Sequence, residues 1–193
     1  MDSGDLRDEE LVVQAQAGDL EAFEQLFHRY KQKIANFVFQ FVREHHLAED
    51  VTQQVFIKVY QRLGQYKPTG KVASWIYRIA ANQAKDELRK LKRRPTVSLS
   101  SPTGEDPEGG KELGDYLLSD ERERPDHLLR EKELLEKIQK GLASMKPTYQ
   151  EVILLCDYQG LSYDEAAEVM GITKTNVSAM LCRARKKLEK LMK

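Results

Sequence analysis

The chain has 193 residues, with 31 basic and 31 acidic side chains and a formal net charge of +0. That length holds one domain or two small ones, and 40% apolar with 32% charged residues describes a globular, helix-friendly chain. No run nears the ~18 apolar residues of a membrane span, so direct membrane insertion is not expected. The acidic start Met1-Asp2-Ser3-Gly4-Asp5 does not read as a secretory leader. Two cysteines, Cys156 and Cys182, exclude a disulfide scaffold and a CxxC zinc site. His28, His45, His46 and His127 lack ligand spacing, so no metal or other cofactor is expected. The expected compartment is the reducing cytoplasm.

In chain order, Asp8 to Ala17 carries Leu11, Val12 and Ala15 at helical spacing, and Gly18 is placed to end that helix. Asp19 suits the N-cap of a second helix burying Ala22, Phe23, Leu26, Phe27 and Tyr30, then Ile34, Phe37, Val38 and Phe41. Past His45-His46, Leu47, Val51, Val55 and Val59 recur every four residues, and Ala48, Phe56 and Leu63 widen the stripe. Gly64, Pro68 and Gly70 mark a loop. A fourth helix is expected from about Ala73 to Lys92, with Trp75 as a core anchor beside Ile76, Ile79, Ala80 and Leu88. No segment alternates as a strand would. The fold class is all-α.

Pro95 to Pro125 holds four prolines, four glycines and few apolar residues. Such a stretch cannot bury enough apolar surface to offset its ordering entropy. A flexible acidic linker is therefore expected over 95–127, joining two small helical domains at 6–94 and 128–193.

The C-terminal domain begins with an amphipathic Leu128–Leu142, and Lys146-Pro147 opens a helix that closes near Gly160. Ser162 and Glu165 then have capping-box spacing. Ala167 is small where a second helix must cross, Gly171 suits a turn with φ > 0, and Val177 plugs the angle between the helices. Thr173 can cap the second helix, which offers Lys174, Asn176, Ser178, Arg183, Arg185 and Lys186 outward. An αα-hairpin would share part of this spacing. The cap, the turn and the basic tail together favour a helix-turn-helix facing a DNA major groove.

Net neutrality hides a segregated charge. Residues 71–94 sum to +6, residues 101–127 to −6, and residues 174–193 to +6. Two basic blocks about an acidic spacer suit two nucleic-acid-facing segments on one tether.

These features resemble the extracytoplasmic-function (ECF) group of bacterial sigma-70-type RNA polymerase sigma factors. The resemblance rests on Ala22-Phe23-Glu24-Gln25-Leu26-Phe27, Ala48-Glu49-Asp50-Val51-Thr52-Gln53-Gln54-Val55-Phe56 and Trp75-Ile76-Tyr77-Arg78-Ile79-Ala80-Ala81-Asn82. Leu161-Ser162-Tyr163-Asp164-Glu165-Ala166-Ala167 and Arg183-Ala184-Arg185 complete it, in this order along nearly the whole chain. It implies an alternative sigma factor that binds core RNA polymerase and directs promoter-specific initiation. By resemblance, domain 6–94 is sigma region 2, which docks on the polymerase through Ala48, Glu49, Asp50, Gln53, Gln54 and Phe56. The same domain would engage the minus-10 element through Lys67, Lys71, Arg78, Asn82, Lys85, Asp86, Arg89 and Arg93, with Asn82 holding a base flipped from the melted strand. Domain 128–193 would be region 4, reading the minus-35 duplex through Lys174, Thr175, Asn176, Ser178, Ala179, Arg183, Arg185 and Lys186. An anti-sigma factor is the implied inhibitor, and the free chain is expected to be monomeric.

The chain departs from the family pattern at Val72, where an aromatic is common, and at Gln54, where an acid is common. Its recognition helix reads Thr175-Asn176-Val177-Ser178-Ala179-Met180, with Ser178 and Met180 in place of frequent basic residues. A stand-alone helix-turn-helix regulator would share the C-terminal domain but not the Trp75–Asn82 motif. An enzyme would need clustered carboxylates, and Glu49-Asp50, the nearest pair, reads more simply as an exposed helix face. No catalytic residue is expected.

Overall fold

The computed structural model describes residues 7–67, 71–93, 134 and 137–192, and every regular element among them is helical. The linker expected over 95–127 and the loop tip at 68–70 lie outside the described residues. In the first half, α1 spans Asp8–Gln16, α2 Leu20–Val42, α3 His45–Arg62 and α4 Val72–Arg93, with a 3-10 turn Leu63–Gln65 after α3. Gly18 turns the chain at φ +98, and the Asp19 carboxylate accepts from the Glu21 and Ala22 amides at 2.9 and 3.2 Å. The helix break expected at 18–19 is thus chemically specified.

The apolar stripes converge on one core. Leu11, Leu26, Ile34, Phe37, Val55, Val59, Ile76 and Ala80 are fully buried there. Each large side chain among them contributes ~1.5–3 kcal/mol relative to exposure. Asp8 accepts from the Arg29 guanidinium and the Tyr30 hydroxyl, tying the start of α1 to α2. Arg43 ends α2 in the left-handed region at φ 60, the one non-glycine residue so placed among those described.

In the second half, residues 137–143 form α5, Pro147–Ile153 form α6, Tyr163–Met170 form α7 and Lys174–Met192 form α8. A widened turn, Leu154–Tyr158, extends α6, so that the Gln159 amide reaches back to the Leu154 carbonyl at 2.9 Å. Gly160 and Gly171 follow at φ +69 and +67. The capping box forms as expected: the Glu165 amide donates to Ser162 Oγ, and the Ser162 amide donates to Glu165 Oε2 at 2.8 Å. Val177 is fully buried between the helices. Ala166 is fully buried, and Ala167 beside it is half-buried and packed against the core.

The two halves pack together, with α4 lying along α7. Tyr77 donates its hydroxyl to Gln159 Oε1 at 2.5 Å, and Ser74 Oγ donates to Glu168 Oε2 at 2.8 Å. Gln150 donates to the Gln40 carbonyl, and the Arg43 guanidinium donates to the Gln139 carbonyl at 3.3 Å. Buried apolar side chains of both halves also join in one hydrophobic cluster. No helix among the described residues is long and apolar enough to cross a membrane.

Candidate polymerase and nucleic-acid interfaces

The inward stripe of α3 leaves Glu49, Asp50, Gln53 and Gln54 exposed on its far side. Ala48 and Phe56, expected beside them, are instead buried at 3% and 4% exposure. The Phe56 ring stands edge-on to Phe27 at 4.8 Å. These two residues hold the helix in place and do not stand on its outer surface. Gln54 is also tethered: Gln83 Nε2 of α4 donates to its Oε1 at 2.8 Å, and Lys58 donates to Gln83 Oε1. Ile57 and Tyr60 complete the outer face as large exposed apolar residues. Sequence reading passed over both, although each falls off the Val51–Val55–Val59 stripe and so signals an outward position. An acidic strip with apolar members suits a protein partner and repels DNA phosphates.

The basic helix α4 has two faces with different fates. Its outer face, with Arg62 at the end of α3 and Gln65 in the 3-10 turn that follows, forms an open cleft lined by Trp75, Arg78, Ile79 and Asn82. Arg78 and Asn82 are exposed. Trp75, expected to anchor the core, is half-buried and packs against it; its ring lies 4.9 Å from that of Tyr66, and it also lines the cleft. The base of this region is fixed by Gln16, whose side-chain amide donates to the Leu63 and Tyr66 carbonyls at 2.8 and 2.9 Å. Gln16 escapes sequence reading because its partners lie 47 and 50 residues away. A cleft combining an aromatic wall, a guanidinium and an amide can stack a base and hydrogen-bond its edge.

The inner face of α4 meets the second half. Lys71 Nζ lies 3.1 Å from Glu165, and Lys85 Nζ lies 2.7 Å from Glu151 Oε1. Glu151 is 1% exposed, and burial pushes its carboxyl above the ordinary range, with Lys85 opposing the shift. Asp86 pairs with Arg89 at 2.7 Å, and Glu87 pairs with Lys90 at 2.8 Å. Lys67 and Arg93 are exposed toward the ends of the basic stretch. The minus-10 candidates therefore divide: Lys71 and Lys85 are engaged by carboxylates, while Arg78 and Asn82 face solvent.

On α8, Lys174, Thr175, Asn176, Ser178, Arg183, Arg185 and Lys186 are exposed, with Ala179 half-buried. Thr173 Oγ1 accepts from the Asn176 amide at 3.3 Å, which is the cap expected there. Lys174 pairs with Asp164 at 2.7 Å, and Arg185 reaches both oxygens of Asp157 at 2.5 and 3.0 Å. The Asp157 hydrogen bonds raise the Arg185 pKa still further, so its charge is permanent. Exposed pairs of this kind exchange for phosphates at little cost.

Arranged this way, the molecule is an all-helical DNA-binding protein: a four-helix unit bearing a basic helix and an exposed acidic strip, followed by a helix-turn-helix. Comparison with known proteins narrows the class. The sequence pattern of sigma-70 region 2 matches residues 26–94, and that of sigma-70 region 4 matches residues 135–188. The chain is 33% identical over 186 residues to the RNA polymerase sigma-H factor of Pseudomonas aeruginosa, covering 96% of this chain and 94% of that one. It is 32% identical over 188 residues to the ECF RNA polymerase sigma-E factor of Escherichia coli, covering 97% and 95%. The chain belongs to the ECF group of sigma-70-type RNA polymerase sigma factors, which direct transcription initiation. Among solved structures, CnrH in complex with the cytosolic domain of CnrY is similar at TM-score 0.68 and 25% identity over 96% of both chains. The fold is shared by a sigma factor from Bartonella quintana, solved with the anti-sigma factor NepR, at TM-score 0.63 and 20% identity over 88% of this chain and 96% of that one. Similarity along both halves sets aside the stand-alone regulator. Sigma factors are initiation factors, not known as enzymes.

Proposed function

We propose that this sigma factor works through three surfaces. The outer strip of α3, with Glu49, Asp50, Gln53, Gln54, Ile57 and Tyr60, docks on core polymerase. The α4 cleft receives a base of the melted minus-10 strand, with Asn82 and Arg78 at its edge and Trp75 as its wall. Lys67, Lys71, Lys85, Arg89 and Arg93 meet the flanking phosphates, and Asp86 orients Arg89 through their ion pair. The exposed side of α8 reads minus-35 duplex: Lys174, Asn176 and Ser178 reach base edges, while Arg183, Arg185 and Lys186 hold phosphates. The two working units are 6–94 and 128–193, joined across 95–127. The chain acts in the cytoplasm as a monomer until it joins polymerase. An anti-sigma factor restrains it; the similarity to CnrH, which was solved bound to the cytosolic domain of CnrY, supports a protein inhibitor of this kind.

The observation that carries this reading is the convergence of Arg62, Gln65, Trp75, Arg78 and Asn82 on one open cleft beside a basic helix. Asn82→Ala tests it. Asn is a poor helix-interior residue, so the variant should be as stable as the parent or slightly more so, and should bind core polymerase unchanged. Open-complex formation on linear duplex should fall, and a premelted bubble should restore it only in part, because melting is relieved while base capture is not. Full transcription by the variant on unmelted promoters would leave Asn82 an ordinary surface residue.

A further inference from the structure

The base cleft stands on a turn that has little to hold it in shape by itself. Arg62, Gln65 and Trp75 line the cleft, and the 3-10 turn Leu63–Gln65 follows directly on Arg62. Leu63 anchors the start of the turn in the core. The middle residue is Gly64, whose backbone has no side chain to stiffen it. A Cβ placed there would meet nothing within 4 Å, so packing does not confine that residue either. The Tyr66 amide closes the turn on the Leu63 carbonyl at 3.1 Å. A single such bond fixes a short 3-10 segment weakly.

Gln16 supplies a further constraint from outside the turn. It is the last residue of α1 and is exposed, yet its side-chain amide is committed to the turn. Nε2 donates to the Leu63 carbonyl at 2.8 Å and to the Tyr66 carbonyl at 2.9 Å. An amide nitrogen carries two N–H bonds, so each has an acceptor here. The Leu63 carbonyl thus accepts twice, from Gln16 and from the Tyr66 amide. The Tyr66 ring in turn lies 4.9 Å from that of Trp75. Contacts therefore run without a break from Gln16 through Tyr66 to the cleft wall. The packing of α1 does not need this glutamine. Leu11, Val12 and Ala15 bury the helix, and Asp8 ties it to Arg29 and Tyr30.

We propose that Gln16 is a positioning residue for base capture, clamping the Leu63–Tyr66 turn so that Gln65 and the Tyr66–Trp75 pair present a fixed wall to the flipped base. That role rests on the reading of the cleft as the minus-10 base site. Gln16 itself touches no DNA. It stills the turn beforehand, so the strand does not have to order the wall as it binds.

The test uses holoenzyme assembled from core polymerase and the full chain. Open-complex lifetime is measured on a transcribed promoter and on copies made abasic at each minus-10 position of the melted strand. In the parent, removing the captured base should shorten the lifetime about fivefold or more, the lower end for a base stacked on an aromatic ring. Gln16→Met suits a helix and keeps the side-chain length but donates nothing. It should bring that ratio close to one with core-polymerase affinity unchanged. Gln16→Lys restores donors and should recover most of the ratio, since its added charge acts on intact and abasic templates alike. Gln16→Glu offers only acceptors to two carbonyls and should do no better than Gln16→Met. Trp75 is the one tryptophan of the chain, so emission of the free protein reports on the wall directly. It should move to longer wavelength in Gln16→Met and Gln16→Glu and return in Gln16→Lys.

A parent-like ratio in Gln16→Met would overturn the role. A loss shared equally by Gln16→Met and Gln16→Lys would overturn it too, marking a helix-end effect indifferent to hydrogen bonding. Unfolding of Gln16→Met would do the same, because the residue would then serve the fold and not the cleft. If the parent ratio is near one at every position and Asn82→Ala is without effect, the cleft is not the base site and the role falls with it. If Asn82→Ala abolishes a large parent ratio and Gln16→Met does not, the cleft reading stands and only the role of Gln16 is lost.

Discussion

Arg43 shows how one residue can serve two demands at a cost. A left-handed helix end favours glycine, because a Cβ there crowds the following carbonyl by ~1–2 kcal/mol. Here the position holds arginine at φ 60, its amide closing on the Phe39 carbonyl at 2.9 Å. Its guanidinium spans to the Gln139 carbonyl, and burial lowers its pKa below the ordinary arginine value. Arg43→Gly separates the two demands. Residues 1–93 should tolerate it with unfolding free energy unchanged or raised by up to ~1 kcal/mol, measured by urea denaturation of the full chain with a probe at Trp75. Energy transfer between dyes placed on the two halves should decrease, because the bond to Gln139 is lost. A clear loss of stability in the first half would mean that the arginine side chain, not the backbone turn, holds the end of α2. No feature of the sequence marks Arg43 as unusual, since strain is a property of φ and not of composition.

At the scale of elements, sequence reading succeeds wherever a local rule is sufficient. Asp19, Gly18, Ser162, Glu165, Gly171 and Thr173 lie within a few residues of the groups they cap or turn, so spacing alone locates them. The exposed polar face of α8 is legible for the same reason. The outer strip of α3 is half legible: its exposed polar members follow from the spacing, but Ala48 and Phe56, expected with them, belong to the inward stripe. The widened turn at Leu154–Tyr158 has no breaker residue to announce it, and the tie from Gln16 to residues 63 and 66 depends on folding. The capping box gives a clean element-scale prediction. Ser162→Ala removes the hydroxyl that the Glu165 amide reaches at 3.3 Å and should cost the second half ~1 kcal/mol. Thermal unfolding followed through minus-35 duplex binding would register it, with unchanged affinity for duplex below the transition. Affinity lost well below the transition would indicate that Ser162 contacts DNA directly.

For the whole molecule, the acidic groups of the contact predict how closure depends on pH, and they act in opposite senses. Burial raises the Glu151 carboxyl above its ordinary 4.5 when the halves are closed, while Lys85 from α4, the charged group facing it, pulls the other way. Separation would return that carboxyl to water, so closure takes up a proton. Its contribution is therefore fully present below about 4.5 and is lost as pH rises through the raised value. For Glu165, burial alone would raise the carboxyl, but the Ser162 hydrogen bonds and Lys71 outweigh it and leave it below 4.5. The Lys71 part of that shift exists only when the halves are closed. It favours closure above about 4.5 and fades as pH falls through the lowered value. The contact should thus strengthen from neutral pH down toward about 4.5 and weaken below it, a single maximum against pH in energy transfer between dyes placed on the two halves. Glu151→Gln should flatten the limb between neutrality and the maximum while leaving the acid limb in place. Steady loosening from pH 7 downward in the parent would show that the ion pair with Lys85, and not the burial of Glu151, governs the contact.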